Sequence, residues 1–479
     1  MFEPNTQLRA ARERTPSRRV SGEPMSRAEL AEAVNAWLWE TTGERFDLDA
    51  RAVARWERGA VRWPGAYYRS ALRQVLGALD DAALGFFTTA SRPAIWAVDS
   101  FARPSTWDAA SAVELAIALT QDDLMPPNRR SVLTNAVTVT GTALLAELEP
   151  FLRLVRAAGG SAHGSAFTVC ELEGAEHLTA NLRAWHSGNG ALARSAVVAQ
   201  LKAHISRLRG APQGTPETVR AFRVGAELAD IAASMAWDGG EHAPAQRYFI
   251  LSAQLAHVAG DDALAAVALS SLARQCFDLG RPDDGLEVVQ LAQYATRRCG
   301  TPRLRAALAT REAWAYAQRG DVRAFTRTVA LAEDHHGEGV YEGDSNLPTV
   351  RGLDAAELAG VIGARFRDLA QHDRRYVHAA QEHIGRALEL RHPSKTRNRA
   401  FDMIGLARTH LISGDANEAA ELIDQVLPLA ESWASGRVGA KLRDFHRESA
   451  PYAVVPAMRN ARDGIADLVG SQGRDHGKN

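Results

Sequence analysis

Apolar residues recur every three to four positions through most of this chain, and Gly, Pro and Asp clusters cut that rhythm into segments of a few turns. The pattern predicts helices throughout. Near the N-terminus, residues 8–12 fit one helix and residues 26–34 another, opened by a Ser26/Glu29 capping box. A third, over residues 50–58, takes Asp49 as its N-cap and Gly59 as its left-handed end, and Pro64 stops any continuation. Val53 and Trp56 lie at i and i+3 on one face of it and should be buried. Arg51, Ala52, Arg55 and Arg58 then project elsewhere.

After Pro216 the rhythm becomes a repeat, with amphipathic runs at 220–237, 243–258, 262–279, 284–298, 304–319 and 322–334. Gly240, Gly280 and Gly320 break these runs every 40 residues, and Gly414 supplies a later break. A polar, Gly-rich stretch at 335–350 interrupts the series, which resumes at 355–369, 376–390, 396–412 and 416–433. Paired helices at a fixed period predict an α-solenoid. The expected organisation is all-α, with a head over 1–79, a helical linker or middle region over 80–215, a repeat body over 216–469 and a disordered tail over 470–479.

Composition narrows the class. At 479 residues, 46% hydrophobic and 24% charged, the chain suits two to four ordered domains. Its three cysteines, Cys170, Cys276 and Cys299, show no metal-like spacing, which points to a reducing, cytoplasmic setting. The apolar run that follows Arg129-Arg130 contains Thr134, Asn135, Thr138 and Thr140, too polar for a membrane span. Although the whole chain has a net charge of −1, the residues through Gly77 hold 13 arginines against 10 acids, so the head is basic and the rest mildly acidic.

Catalytic chemistry is not indicated. Phosphate loops of the Gly-x-x-x-x-Gly-Lys-Ser/Thr kind, Gly-x-Ser-x-Gly elbows and His-Glu-x-x-His motifs are all missing from the sequence. The best metal-like cluster, His335-His336 with Asp334 and Glu338, reads as a solvated group. No catalytic residue, metal or cofactor is therefore expected, and the chain is not expected to be an enzyme.

Leu8-Arg9-Ala10-Ala11-Arg12, then Ser26-Arg27-Ala28-Glu29-Leu30-Ala31, then Trp56-Glu57-Arg58-Gly59 with Pro64, resembles the Xre or phage-repressor-like helix-turn-helix family. The likeness covers roughly residues 5–79. It implies a brace between Arg12 and Glu57, and base reading by Arg51, Arg55, Ala52 and Arg27. Arg51 and Arg55 are preferred, since bidentate Arg–guanine pairs dominate major-groove readout. Ser26, Arg58, Arg62 and Arg69 are expected at phosphates. Two segments depart from the compact family pattern: a long first connection at 13–25, bearing Arg14, Arg18 and Arg19, and a stretch at 35–48 with Trp37, Trp39 and Phe46.

The repeat region is similar to tetratricopeptide repeats, with small residues such as Ala265, Ala268 and Ala273 ahead of a Leu279-Gly280-Arg281-Pro282 turn. An Xre-type head on such a body resembles large bacterial regulators, including the peptide-sensing quorum regulators and their actinobacterial relatives. That likeness implies a homodimer on an inverted-repeat operator in double-stranded DNA, controlled by a peptide or small-molecule effector. Concave-face candidates for the effector are Arg247, Tyr248, Gln254, Arg274, Gln275, Gln290, Tyr294 and Trp314. The alternative is an interaction scaffold whose head docks a partner or binds DNA only weakly.

Overall fold

The computed structural model describes residues 4–20, 22–42, 45–61, 64–78, 81–86, 107–125, 138–152, 167–187, 194–212, 214–342, 344, 347–431 and 436–475. Among these, the regular elements are helices, joined by one isolated bridge between Pro16 and Pro24. The fold is all-α.

Four helices make the head: α1 (Thr6–Arg14), α2 (Arg27–Thr42), α3 (Ala50–Glu57) and α4 (Ala66–Leu76). Asn5 caps α1 by accepting from the Leu8 amide, and Asp49 caps α3 by accepting from the Ala52 amide at 2.7 Å. Leu8, Leu30, Val34, Leu38, Val53, Trp56 and Leu72 close a core over which Leu84 and Phe86 also fold. The head therefore runs past the expected limit of residue 79, and the Asn5 side-chain amide donates to the Leu84 carbonyl to fasten that end.

Of the stretch at 35–48, residues 35–42 extend α2 and residues 45–48 lead into α3. Asn35 clamps that lead-in by donating to the Leu48 carbonyl (2.9 Å) and accepting from its amide (3.1 Å). Asn35→Ala removes both bonds and should lower local stability by about 1–3 kcal/mol. Faster amide exchange at Leu48 is the expected signal, and unchanged protection there would contradict it.

Beyond the head come α5 (Ala109–Leu124), α6 (Gly141–Leu148), α7 (Val169–Ser187) and α8 (Arg194–Ser206). The series then continues as α9 (Pro216–Asp238), α10 (His242–Val258), α11 (Asp262–Asp278), α12 (Pro282–Ala295), α13 (Pro302–Arg319) and α14 (Val322–Gly337). After the short α15 (Pro348–Arg351) follow α16 (Ala355–Ala370), α17 (Val377–Leu390), α18 (Thr396–Ser413), α19 (Ala416–Glu431), α20 (Gly436–Glu448) and α21 (Pro456–Asp475). Each of α9 to α13 packs on its successor, and α11, α13, α16, α18 and α20 also touch one another in sequence.

One turn chemistry recurs. Gly240, Gly260, Gly280, Gly320 and Gly414 all hold φ between 68° and 95°, and in each case the glycine amide and the next amide bond back into the last turn of the preceding helix. This is the Schellman closure, which needs a left-handed residue at that point. Asp261 and Asp321 then cap the following helices by accepting from Leu264 and Ala324. Sequence periodicity showed the turns 40 residues apart; Gly260 adds one midway between Gly240 and Gly280, at the end of α10.

Trp107, Leu144, Phe167, Leu182 and Leu201 share one continuous core with Phe222, Phe249, Leu269 and Trp314. The described residues of the segment expected as a linker or middle region thus contribute to the same interior as α9 to α13. At the other end, α21 keeps residues 470–475 helical where disorder was expected. Extending a formed helix costs far less than starting one, so a packed stem carries a weak tail.

Candidate nucleic-acid interface

Glu57 closes α3 from inside the head, only 4% exposed. Its carboxylate accepts from Arg12 Nε of α1 at 2.6 Å and from Arg27 Nε of α2 at 2.7 Å. Arg12, itself 6% exposed, also donates to the Met25 carbonyl at 2.7 Å. Three helix ends are thereby tied to one buried carboxylate, and charge-assisted bonds of this length are the strong kind. The Arg12–Glu57 pair implied by the resemblance is formed. Arg27 joins it with its side chain still 44% exposed, so it serves the brace as well as the surface.

On the opposite side of α3, Arg51, Arg55 and Arg58 are exposed, Ala52 is half-buried, and Val53 and Trp56 are buried. The three arginines sit at i, i+4 and i+7, one stripe of a helix. Ser26 opens α2 at the surface: its amide donates to Glu29 Oε2 (2.8 Å) and its hydroxyl accepts from the Glu29 amide (3.2 Å), completing the capping box. Arg9, Arg12, Glu13, Arg27, Ala50, Arg51 and Ala54 border an open concavity of about 590 Å³. Arg27 and Arg51 therefore share one surface with Arg9, which sequence reading had not selected. The signal was present: Arg9 lies one turn before the brace residue Arg12 and must emerge beside it.

No protein-family model matches the chain, and no curated protein matches it.

Arg69 corrects one expectation. It is 1% exposed and cannot reach a phosphate. Its Nε donates to Asp81 at 2.8 Å, and its two terminal nitrogens lie 3.2 Å from the two oxygens of Glu287 on α12. Arg73 bonds Asp81 as well and pairs with Glu149 at 2.7 Å, where Ser70 also donates. Beside this ion cluster, Tyr294 of α12 stacks on Phe46 and Tyr67 of the head, each with ring centres 5.7 Å apart. Burial and then the Glu287 charge push the Tyr67 hydroxyl above its usual range. Arg69 is thus the seat of the head on the body. Arg62 lies outside the described residues.

The eight effector candidates have varied surroundings. Tyr248 donates to Asp123 of α5 at 2.9 Å, and the half-buried Arg247 beside it is depressed by burial. Gln275 donates to the His242 carbonyl at 2.6 Å, and Tyr294 belongs to the head contact. Arg274 lies 5.1 Å over Trp237, while Trp314 packs on Phe277 and under Arg365. Gln254 is fully buried and Gln290 is half-buried. Helices covered on both sides bury polar residues that a single-helix pattern assigns to an open face. His335 and His336 likewise part company, the first bonding Glu338 at 2.7 Å and the second the Leu353 carbonyl at 3.0 Å.

Proposed function

We propose that this chain is a sequence-specific, DNA-binding transcriptional regulator: a phage-repressor-like helix-turn-helix head carried on a tetratricopeptide-like solenoid body. The observation that carries this reading is α3, anchored by buried Glu57 to α1 and α2 and presenting Arg51, Arg55 and Arg58 outward. A helix held rigidly with a cationic stripe fits a major groove, where Arg51 and Arg55 read guanine edges and Arg58 meets phosphate. In this reading the protein acts as a cytoplasmic homodimer on an inverted repeat, with half-sites about one helical turn apart. Control passes from an effector on the body through the Arg69–Glu287 seat to the head.

The test is a gel shift with the duplex that full-length protein enriches from a random-sequence pool. Arg51→Ala/Arg55→Ala should lose about 2–6 kcal/mol of binding, since each bidentate base contact contributes roughly 1–3. Sequence-specific binding by the double variant at wild-type strength would sink the assignment.

A further inference from the structure

The connection between α1 and α2 is a pinned hairpin. The Met25 amide donates to the Thr15 carbonyl and the Ser17 amide to the Glu23 carbonyl, both at 2.8 Å, around the Pro16–Pro24 bridge. Gly22, at φ +85°, makes the left-handed step near its end. Ser17 organises the tip: its hydroxyl accepts from the Arg19 and Val20 amides and donates to Glu29 Oε1 at 2.6 Å. Arg19 pairs with Glu32 of α2, and Arg12 grips the Met25 carbonyl at the base. The Ser17 hydroxyl and the Ser26 amide hold the Glu29 carboxyl down at about 2. A depressed carboxylate keeps its bonds above that value, so the clamp is intact at neutral pH and is lost only as pH falls toward about 2.

This hairpin leaves α1 after Arg14, next to Glu13, and returns through Ser26 to Arg27; Glu13 and Arg27 border the same concavity as Arg51. Its base therefore stands at the rim of the α3 surface. Through Ser17–Glu29 and Arg19–Glu32 the hairpin lies against the first turns of α2, whose N-terminus carries Arg27 at that rim. Arg18 and Val20 are exposed on it, and Arg18 is the cation the hairpin leaves outward while Arg19 is matched by Glu32.

We propose that residues 15–25 form a second DNA-contacting element, which sets Arg18 on the sugar-phosphate backbone flanking the bases read by α3. The proposal rests on the DNA-binding reading above. A hairpin fastened at base, side and tip brings its cation to the phosphate with little ordering left to do on binding. Such a contact adds affinity and register without base preference.

The test uses the full chain, wild type and Arg18→Ala, with the pool-enriched duplex in a long form and in a form trimmed at both flanks. On the long duplex, Arg18→Ala should bind more weakly with unchanged base preference. Its affinity should fall about three- to fourfold less than that of the wild type between 50 and 200 mM salt, the consequence of one phosphate contact fewer. On the trimmed duplex the two proteins should bind alike. Equal binding on the long duplex, or an equal deficit on both duplexes, overturns the hairpin contact while leaving α3 readout standing. If the wild type enriches no sequence, DNA reading itself fails and the hairpin contact falls with it.

Discussion

Arg69→Ala should lower stability by about 3–5 kcal/mol, because truncation strips a buried carboxylate of its cation. Asp81 retains Arg73, but Glu287, 5% exposed, loses the bidentate partner that offsets its burial. Removing both charges with Arg69→Ala/Glu287→Ala should recover part of that loss, since the buried carboxylate is removed together with the cation that pairs with it. Chemical denaturation and amide exchange in α4 and α12 give the measurement. Additive losses in the double variant would contradict the coupling. The same variants separate a seat from a phosphate contact: under conditions where Arg69→Ala stays folded, its binding should keep the wild-type salt dependence, whereas a lost phosphate contact would flatten it by about one unit.

Glu57→Ala should cost a similar amount, about 3–5 kcal/mol, for the mirrored reason. Arg12 would stay enclosed with the Met25 carbonyl and the partly exposed Glu13 as its remaining partners, and Arg27 would swing free. Because α3 is oriented by this carboxylate, loss of base discrimination should accompany loss of stability. Glu57→Gln tests the charge alone, since it keeps the shape and one acceptor; it should fall between wild type and Glu57→Ala. Melting temperature and binding to base-substituted duplexes measure the two effects. Wild-type discrimination in Glu57→Ala would show that α3 needs no such brace.

What the sequence made legible was local. The Ser26/Glu29 capping box, the Asp49 cap and the breaks at Gly240, Gly280 and Gly320 depend on residues close to each other in the chain, and their chemistry specifies the geometry. Core positions on α3 followed from spacing for the same reason. The Arg12–Glu57 brace needed the family likeness, since 45 residues separate its ends. Arg69 was misread because Asp81 and Glu287, the carboxylates it binds, lie on different scales: Asp81 is 12 residues away, Glu287 218. Nothing near an arginine on an amphipathic helix announces a carboxylate that far along the chain. The surroundings of the effector candidates were hidden for a related reason, since Tyr248 and Gln275 sit on helices wrapped by neighbours that local periodicity does not name.

The separation of Arg69 from Glu287 also orders events during synthesis. A ribosome adding 5–20 residues per second takes roughly 10–45 s to travel from one to the other. Asp81 follows Arg69 after 12 residues, so for most of that interval one of the two carboxylates that bind Arg69 has been made and the other has not. The residues of the head's own core all precede its seat in the chain, so every newly made molecule passes through a stage in which the arginine stripe of α3 exists without the helix on which Arg69 comes to rest.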